Sequence, residues 1–160
     1  MIKPRPVLVY GDPRLKQPSE PVTDPAECAP LVRRMREMME QFGGIGLAAP
    51  QIGEHRRVII WKIGGQEGVL INPELSPGDE SEVGVEGCLS IPGMAADVRR
   101  AVEVRARGQD LDGRPIEFRA EGLLARVLQH EVDHLDGVLF VDRAEPGTLR
   151  PAPMTAVTGI

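Results

Sequence analysis

The sequence is short of cysteine, histidine and aromatic residues: two Cys, three His, one Trp, one Tyr and three Phe in 160 positions. Cys28 and Cys88 are too few and too far apart for the disulfide framework that holds a small secreted domain. A run of about 18 apolar residues, the minimum for a membrane-spanning helix, is also lacking, and residues 1–10 do not carry the apolar stretch of a secretory signal. Positive charge is in deficit, with 19 Lys and Arg against 24 Asp and Glu and a net charge of -5. That balance excludes a protein whose main work is to coat nucleic acid, since phosphate binding draws on clustered Lys and Arg. The expected compartment is the cytoplasm, where each cysteine is a free thiol or a metal ligand.

Against these absences stand 18 Gly, 15 Pro and 41% hydrophobic residues, the composition of a globular chain with many tight connections. A chain of this length forms one domain and buries roughly two-thirds of the surface that its unfolded form exposes. We expect that unit to span residues 1–143. From Glu145-Pro146-Gly147 to Arg150-Pro151-Ala152-Pro153 the pattern predicts an irregular tail over residues 144–160.

Leu31, Val32, Met35, Met38, Met39 and Phe42 recur at helical spacing and predict a helix over about 31–42, ended by Gly43-Gly44. Asp24-Pro25 offers an earlier start, but Pro30 would then lie inside the helix, which leaves the start open. Val58-Ile59-Ile60-Trp61 and Val69-Leu70-Ile71, joined through Gly64-Gly65, read as a hairpin or as neighbours in a sheet. Val98, Val102, Val104 and Ala106 alternate with polar residues, Asp112-Gly113 supplies a turn, and Ile116, Phe118 and Ala120 alternate again, which predicts a second antiparallel pair. Leu123, Leu124, Val127, Leu128 and Leu135 predict a last helix over about 122–135. The fold class is α+β, with antiparallel or mixed strands packed around a buried helix.

That helix carries His130-Glu131-Val132-Asp133-His134, a His-Glu-x-x-His pattern. Residues four apart project about 40° from one another, so both imidazoles can reach one ion. Glu131 falls to one side, where it can take a proton from an attacking water without ligating. In one class of zinc peptidase the pattern continues to a third histidine, but Phe140 stands at that place. The third ligand must come from Cys88, His55 or a carboxylate, and Cys88 is the best placed, beside Gly87 after a strand containing Val83 and Val85. Two imidazoles and a thiolate leave the fourth position of a tetrahedral ion open, as catalytic sites do.

Three segments, Gly44-Ile45-Gly46-Leu47-Ala48-Ala49-Pro50-Gln51, Glu86-Gly87-Cys88-Leu89-Ser90 and Gln129-His130-Glu131-Val132-Asp133-His134, resemble the signature motifs of peptide deformylases in order and spacing. The likeness covers residues 5–142. It implies hydrolysis of the N-formyl group of formylmethionine on newly made polypeptides, with release of formate. It further implies Cys88, His130 and His134 as metal ligands and Glu131 as the acid and base. Gln51 and the Leu89 amide would hold the oxyanion, and Ile45, Gly46, Gly87 and Leu89 would line the substrate cleft. The implied ion is Fe2+, although the same ligands suit Zn2+, Ni2+ or Co2+.

The expected partners are N-formylated nascent peptides, met by a monomer without nucleic-acid specificity or a membrane. Many family members end in a basic helix that aids ribosome docking, whereas residues 144–160 carry one Arg, so docking by that route is not expected. Three rival readings stand beside this one. One is a zinc endopeptidase, one is a closed structural site of Cys28, Cys88, His130 and His134, and one is a deformylase acting on another small N-formyl compound.

Overall fold

Four successive buried residues, Val58, Ile59, Ile60 and Trp61, set the architecture. A strand sends alternate side chains to opposite faces, and here Val58 and Ile60 enter one apolar cluster while Ile59 and Trp61 enter another. The structure is a computed structural model and describes residues 7–153 and Ile160. Residues 1–6, part of the stretch read for a signal sequence, and residues 154–159 of the expected tail lie outside the described residues.

The larger sheet contains β1 (Gly46–Ala48), β2 (Val58–Ile63), β3 (Gln66–Pro77), β6 (Glu103–Gln109) and β7 (Pro115–Glu121), in that order and with every neighbouring pair antiparallel. The expected hairpin is β2–β3, and β3 continues past it. At Asn72 the backbone turns left-handed (φ 53), and the register of β3 against β6 slips between Ile71, which faces Gln109, and Glu74, which faces Arg107. The Asn72 side chain fixes this bend by accepting from Val22 N (2.8 Å) and donating to Val22 O (2.9 Å). A smaller sheet has β4 (Ser81–Cys88), β5 (Ile91–Ala101) and β8 (Arg150–Pro151) in that order.

Helices cover both faces of the larger sheet. On one, α1 (Ala29–Gln41) buries Leu31, Val32, Met35 and Met39 against Leu47, Val58, Ile60 and Ile71. Its start satisfies both sequence signals. Asp24 caps a short 3-10 turn over Pro25–Cys28, and Pro30 falls in the first turn of α1, where its missing N–H costs nothing. On the other face, α2 (Gly122–Leu135) buries Ala125, Val127, Leu128 and Leu135 against Ile59, Leu70, Val104, Ala106 and Ala120. Each buried leucine there stabilises the fold by about 1.5–3 kcal/mol. Past α2, Gly137 has φ +75, and a Cβ at that position would meet the Lys16 carbonyl oxygen at 2.4 Å, so the chain needs glycine before it enters α3 (Phe140–Arg143).

The expected α+β arrangement around a buried helix is what forms. Three local expectations are corrected. The alternation from Val98 to Ala106 does not mark one strand: β5 ends at Ala101 in the smaller sheet, β6 begins at Glu103 in the larger, and the corner is held by Val102 N to Glu80 O (2.9 Å) and Gly78 N to Glu103 O (2.9 Å). Cys28, a ligand in the rival closed site, is fully buried in the cluster that α1 covers, apart from the cluster that holds Cys88. The chain beyond residue 144 is not irregular from the start, because Glu145 N donates to Asp97 O (2.8 Å), β8 pairs with Met94 and Ala95, and Ala152 N donates to Gly93 O (2.9 Å). No helix among the described residues is long and apolar enough to cross a membrane.

Candidate active site

The four-residue spacing on α2 places His130 and His134 side by side, with ring centroids 5.0 Å apart. β4 delivers Cys88 to them at the turn into β5, and Cys88 Sγ lies 3.4 Å from His134 Nε2. The three ligating atoms lie within 4.8 Å of one another, and all three side chains are buried. Cys28 is not in this group, which removes the closed four-ligand site. His55 is elsewhere too, with Nε2 2.8 Å from the Arg14 carbonyl oxygen. The place of a third histidine is filled by Phe140, whose ring stacks on His130 at 6.1 Å.

Unsatisfied atoms decide whether this group fits an ion. His130 Nε2, His134 Nδ1 and both carboxylate oxygens of Glu131 are buried without a hydrogen-bond partner among the described residues. Orphaned buried polar atoms cost free energy. His134 turns Nε2, not Nδ1, toward Cys88, so the atoms that a soft divalent cation and its water would satisfy are His130 Nε2 and the two Glu131 oxygens.

The electrostatics agree. Burial, then the charges of His130 and Arg100, hold His134 well below the usual imidazole range, so it is neutral and able to ligate. Burial, then the Glu86 charge, pushes the Glu131 carboxyl well above the usual range, although Arg100 opposes this. Burial, then the Glu131 charge, pushes the Cys88 thiol up. Cys88 is therefore a thiol until a cation draws off its proton.

The other expected site residues converge here. Gln51, fully buried, directs Nε2 to Ser90 Oγ (3.1 Å) and toward Cys88 Sγ (3.6 Å), while its Oε1 accepts from Ala48 N (2.9 Å). Gly46 on β1 presses against Glu131: a Cβ there would stand 2.6 Å from Glu131 Oε2. Ile45 packs on the cluster that contains Val127, and Gly87 is buried beside Cys88. Leu89 N points its hydrogen at the Ile160 carbonyl oxygen, 3.1 Å away.

The polypeptide deformylase family model matches residues 4–149. The chain belongs to this family. A peptide deformylase of Dictyoglomus thermophilum is 48% identical over 147 residues, covering 91% of this chain and 96% of its own length. One from Acidothermus cellulolyticus is 46% identical over 143 residues, covering 89% and 79%. Among solved structures, the Synechococcus elongatus peptide deformylase in complex with actinonin superposes with a TM-score of 0.85 at 42% identity, over 89% of this chain and 81% of that one. The Thermotoga maritima peptide deformylase gives 0.85 at 39%, over 88% and 97%. The deformylase family is one of metal-dependent hydrolases.

In this deformylase fold the metal group is braced by residues to which the sequence reading gave no role. Glu86 accepts from His130 Nδ1 (2.8 Å), from Arg100 Nε and Nη2 (2.9 Å each) and from Arg126 Nη1 (2.7 Å). Asp133 accepts from Arg100 (2.6 Å) and Arg143 (2.6 Å). Burial works to raise the Glu86 carboxyl, but hydrogen bonds from Arg100 and His130 outweigh it and hold the group well below the usual carboxylate range. Its charge fixes His130 with Nδ1 protonated and Nε2 free toward Cys88 and His134. One signal could have found Glu86: a ligating histidine needs an acceptor for its other nitrogen, and this carboxylate stands two residues before Cys88, the expected third ligand.

Proposed function

We propose that this chain removes the formyl group from the N-terminal formylmethionine of newly made polypeptides, with Cys88, His130 and His134 holding one divalent cation. The observation that carries the reading is the convergence of Cys88 Sγ, His134 Nε2 and His130 Nε2, the last of these and both Glu131 oxygens being buried without a partner among the described residues. When bound, the ion supplies Lewis acidity and acidifies water.

The chain's own residues do the rest. Glu131, kept free of hydrogen bonds at the end of a buried side chain, takes the proton from the attacking water and returns it to the departing amine. Gln51 Nε2 and the Leu89 amide donate to the oxygen of the formyl carbonyl as it gains charge. One such donor contributes about 2.7–4 kcal/mol to the barrier reduction. Gly46 on β1, with Ile45 just before it, and Gly87 on β4 lie at the end strands of their sheets, whose outer sides have no partner strand among the described residues. A peptide substrate adds to those edges as a strand, with its methionine side chain in the apolar space near Ile45 and Val127.

The ion is Fe2+ in this reading, and Zn2+, Ni2+ and Co2+ are accepted by the same donors. The protein acts as a monomer in the cytoplasm on nascent peptides, and residues 1–143 carry the machinery. Contact with the ribosome through residues 144–153 would have only Arg150 to offer to phosphate.

The test is formate release from formyl-Met-Ala-Ser by protein purified without air and analysed for metal, run beside Glu131→Ala. Rapid release that disappears in the variant while the metal stays is the expected result. A metal-loaded wild type that releases no formate would overturn the assignment, and cleavage of an unformylated peptide would favour an endopeptidase.

A further inference from the structure

At the corner where the chain leaves β5 for β6 lies a cavity of about 390 Å³, within the range of small-ligand sites. Leu75 of β3, Val104 of β6 and Val132 of α2 give it apolar walls. Val132 projects about 160° from both His130 and His134 around α2, so the cavity lies across the helix from the metal group. None of Cys88, His130, Glu131 and His134 lines it.

Its charged lining is Arg99, Arg100, Arg143 and Asp133. Arg100 and Asp133 are buried and paired (2.6 Å), and Asp133 also takes Arg143 through Nε (2.6 Å) and Nη2 (3.0 Å). Arg99 and Arg143 are half-exposed. Arg99 gives Nη1 to Ser81 Oγ (3.2 Å) and sets Nε 3.6 Å from Glu145. Arg99 Nη2 and Arg143 Nη1 have no hydrogen-bond partner among the described residues. With Arg126, which shares Glu86 with Arg100, four guanidiniums here meet three carboxylates, Glu86, Asp133 and Glu145. This local surplus of positive charge stands in a chain whose net charge is -5.

We propose that the cavity is a binding site for a small organic anion, a carboxylate on a hydrocarbon body, with the carboxylate at Arg99 and Arg143 and the body against Leu75, Val104 and Val132. The carboxylate accepts charge-assisted hydrogen bonds from the two guanidiniums and meets the surplus charge. The hydrocarbon body takes the apolar walls out of contact with water, which a bare inorganic anion would not do. The site is separate from the substrate cleft and does not depend on the deformylase reading.

Octanoate is the probe, titrated calorimetrically into the full-length, metal-loaded protein, with octanol as the uncharged control. A saturable one-site heat is expected for octanoate and none for octanol. Joint replacement Arg99→Gln and Arg143→Gln should weaken octanoate at least about tenfold. Leu75→Glu, which brings a tethered carboxylate to the cavity, should abolish binding, whereas Leu75→Gln, of the same size but uncharged, should retain it. Thermal unfolding of each variant establishes that it is folded. Absence of a saturable heat from the wild type at up to about 10 mM octanoate would overturn the site. Wild-type affinity in both the arginine variant and Leu75→Glu would place the anion elsewhere, on the metal for example, and overturn it too. Octanol binding as tightly as octanoate would show that the arginines do not select the ligand.

Discussion

Glu86 Oε1 lies 2.8 Å from His130 Nδ1, and the same carboxylate accepts from both Arg100 and Arg126. One buried charge therefore orients His130 and pairs with two guanidinium groups, of which Arg100 is also met by Asp133. Glu86→Gln keeps the shape and an acceptor for His130 but removes the charge. Metal affinity should drop about 10- to 100-fold. Stability should fall as well, because the buried arginines lose their counter-charge, and breaking a buried pair costs about 3–5 kcal/mol. Chelator competition and urea unfolding measure the two effects, and metal affinity equal to the wild type would show that Glu86 does not brace the site.

The parts of this arrangement that could be read from sequence are those with local periodicity. The α2 helix is written in Leu123, Val127 and Leu128, and its two ligands follow from a four-residue spacing. What joins β4 to α2 is not periodic. Glu86, Arg100, Arg126 and Asp133 are distant in sequence and meet only after both sheets have formed. Alternation also misled where it continued through a corner. Val98 and Val104 keep the same period, yet Val102 turns the chain from one sheet to the other, and a period of two carries no information about which sheet a strand joins. Beyond residue 144 the prolines obscured β8, which needs only two residues to pair with Met94 and Ala95.

Gln51 should matter to the reaction more than to the metal. Its Nε2 donates to Ser90 Oγ (3.1 Å) and Cys88 Sγ (3.6 Å) without belonging to the group that could hold the ion, and its position beside that group suits an oxyanion donor. Gln51→Ala should lower kcat about 10²- to 10³-fold with metal content unchanged. It should cost about 1–3 kcal/mol of stability, since Ala48 N loses its buried acceptor. A kcat within twofold of wild type, measured by formate release, would remove Gln51 from the machinery.

Removing the ion should destabilise the fold and take up a proton. The apo site leaves His130 Nε2 and both Glu131 oxygens buried without partners among the described residues, and its Cys88 thiol is protonated. At a free metal concentration 1,000 times the dissociation constant, binding stabilises by about 4.1 kcal/mol. For a domain of this size that shifts Tm on the order of 10 °C. Calorimetric titration of apo protein in buffers of different ionisation enthalpy should show about one proton released per ion bound. Identical Tm values with and without chelator would mean that the cluster does not hold a cation.

Gly46 supplies the sharpest test of how β1 positions the general base. A methyl group there would stand 2.6 Å from Glu131 Oε2 and 2.8 Å from Val127 Cγ1, both below van der Waals contact. Val127 and Glu131 are both fully buried, but the Glu131 carboxylate ends a longer side chain and has no hydrogen-bond partner among the described residues, so it is the group that shifts. Overpacking of this kind costs about 1–3 kcal/mol. The catalytic cost should be larger, because a misplacement of about 1 Å in a positioned group can reduce turnover about a hundredfold. Gly46→Ala should therefore bind metal as the wild type does, fold with a modestly lower Tm, and lose kcat by about two orders of magnitude. A second substitution, Val127→Ala, opens space on the other side of the new methyl group and should recover part of the loss. If Gly46→Ala turns over normally, Glu131 does not need the position that β1 now enforces, and its assignment as the proton carrier would have to be withdrawn.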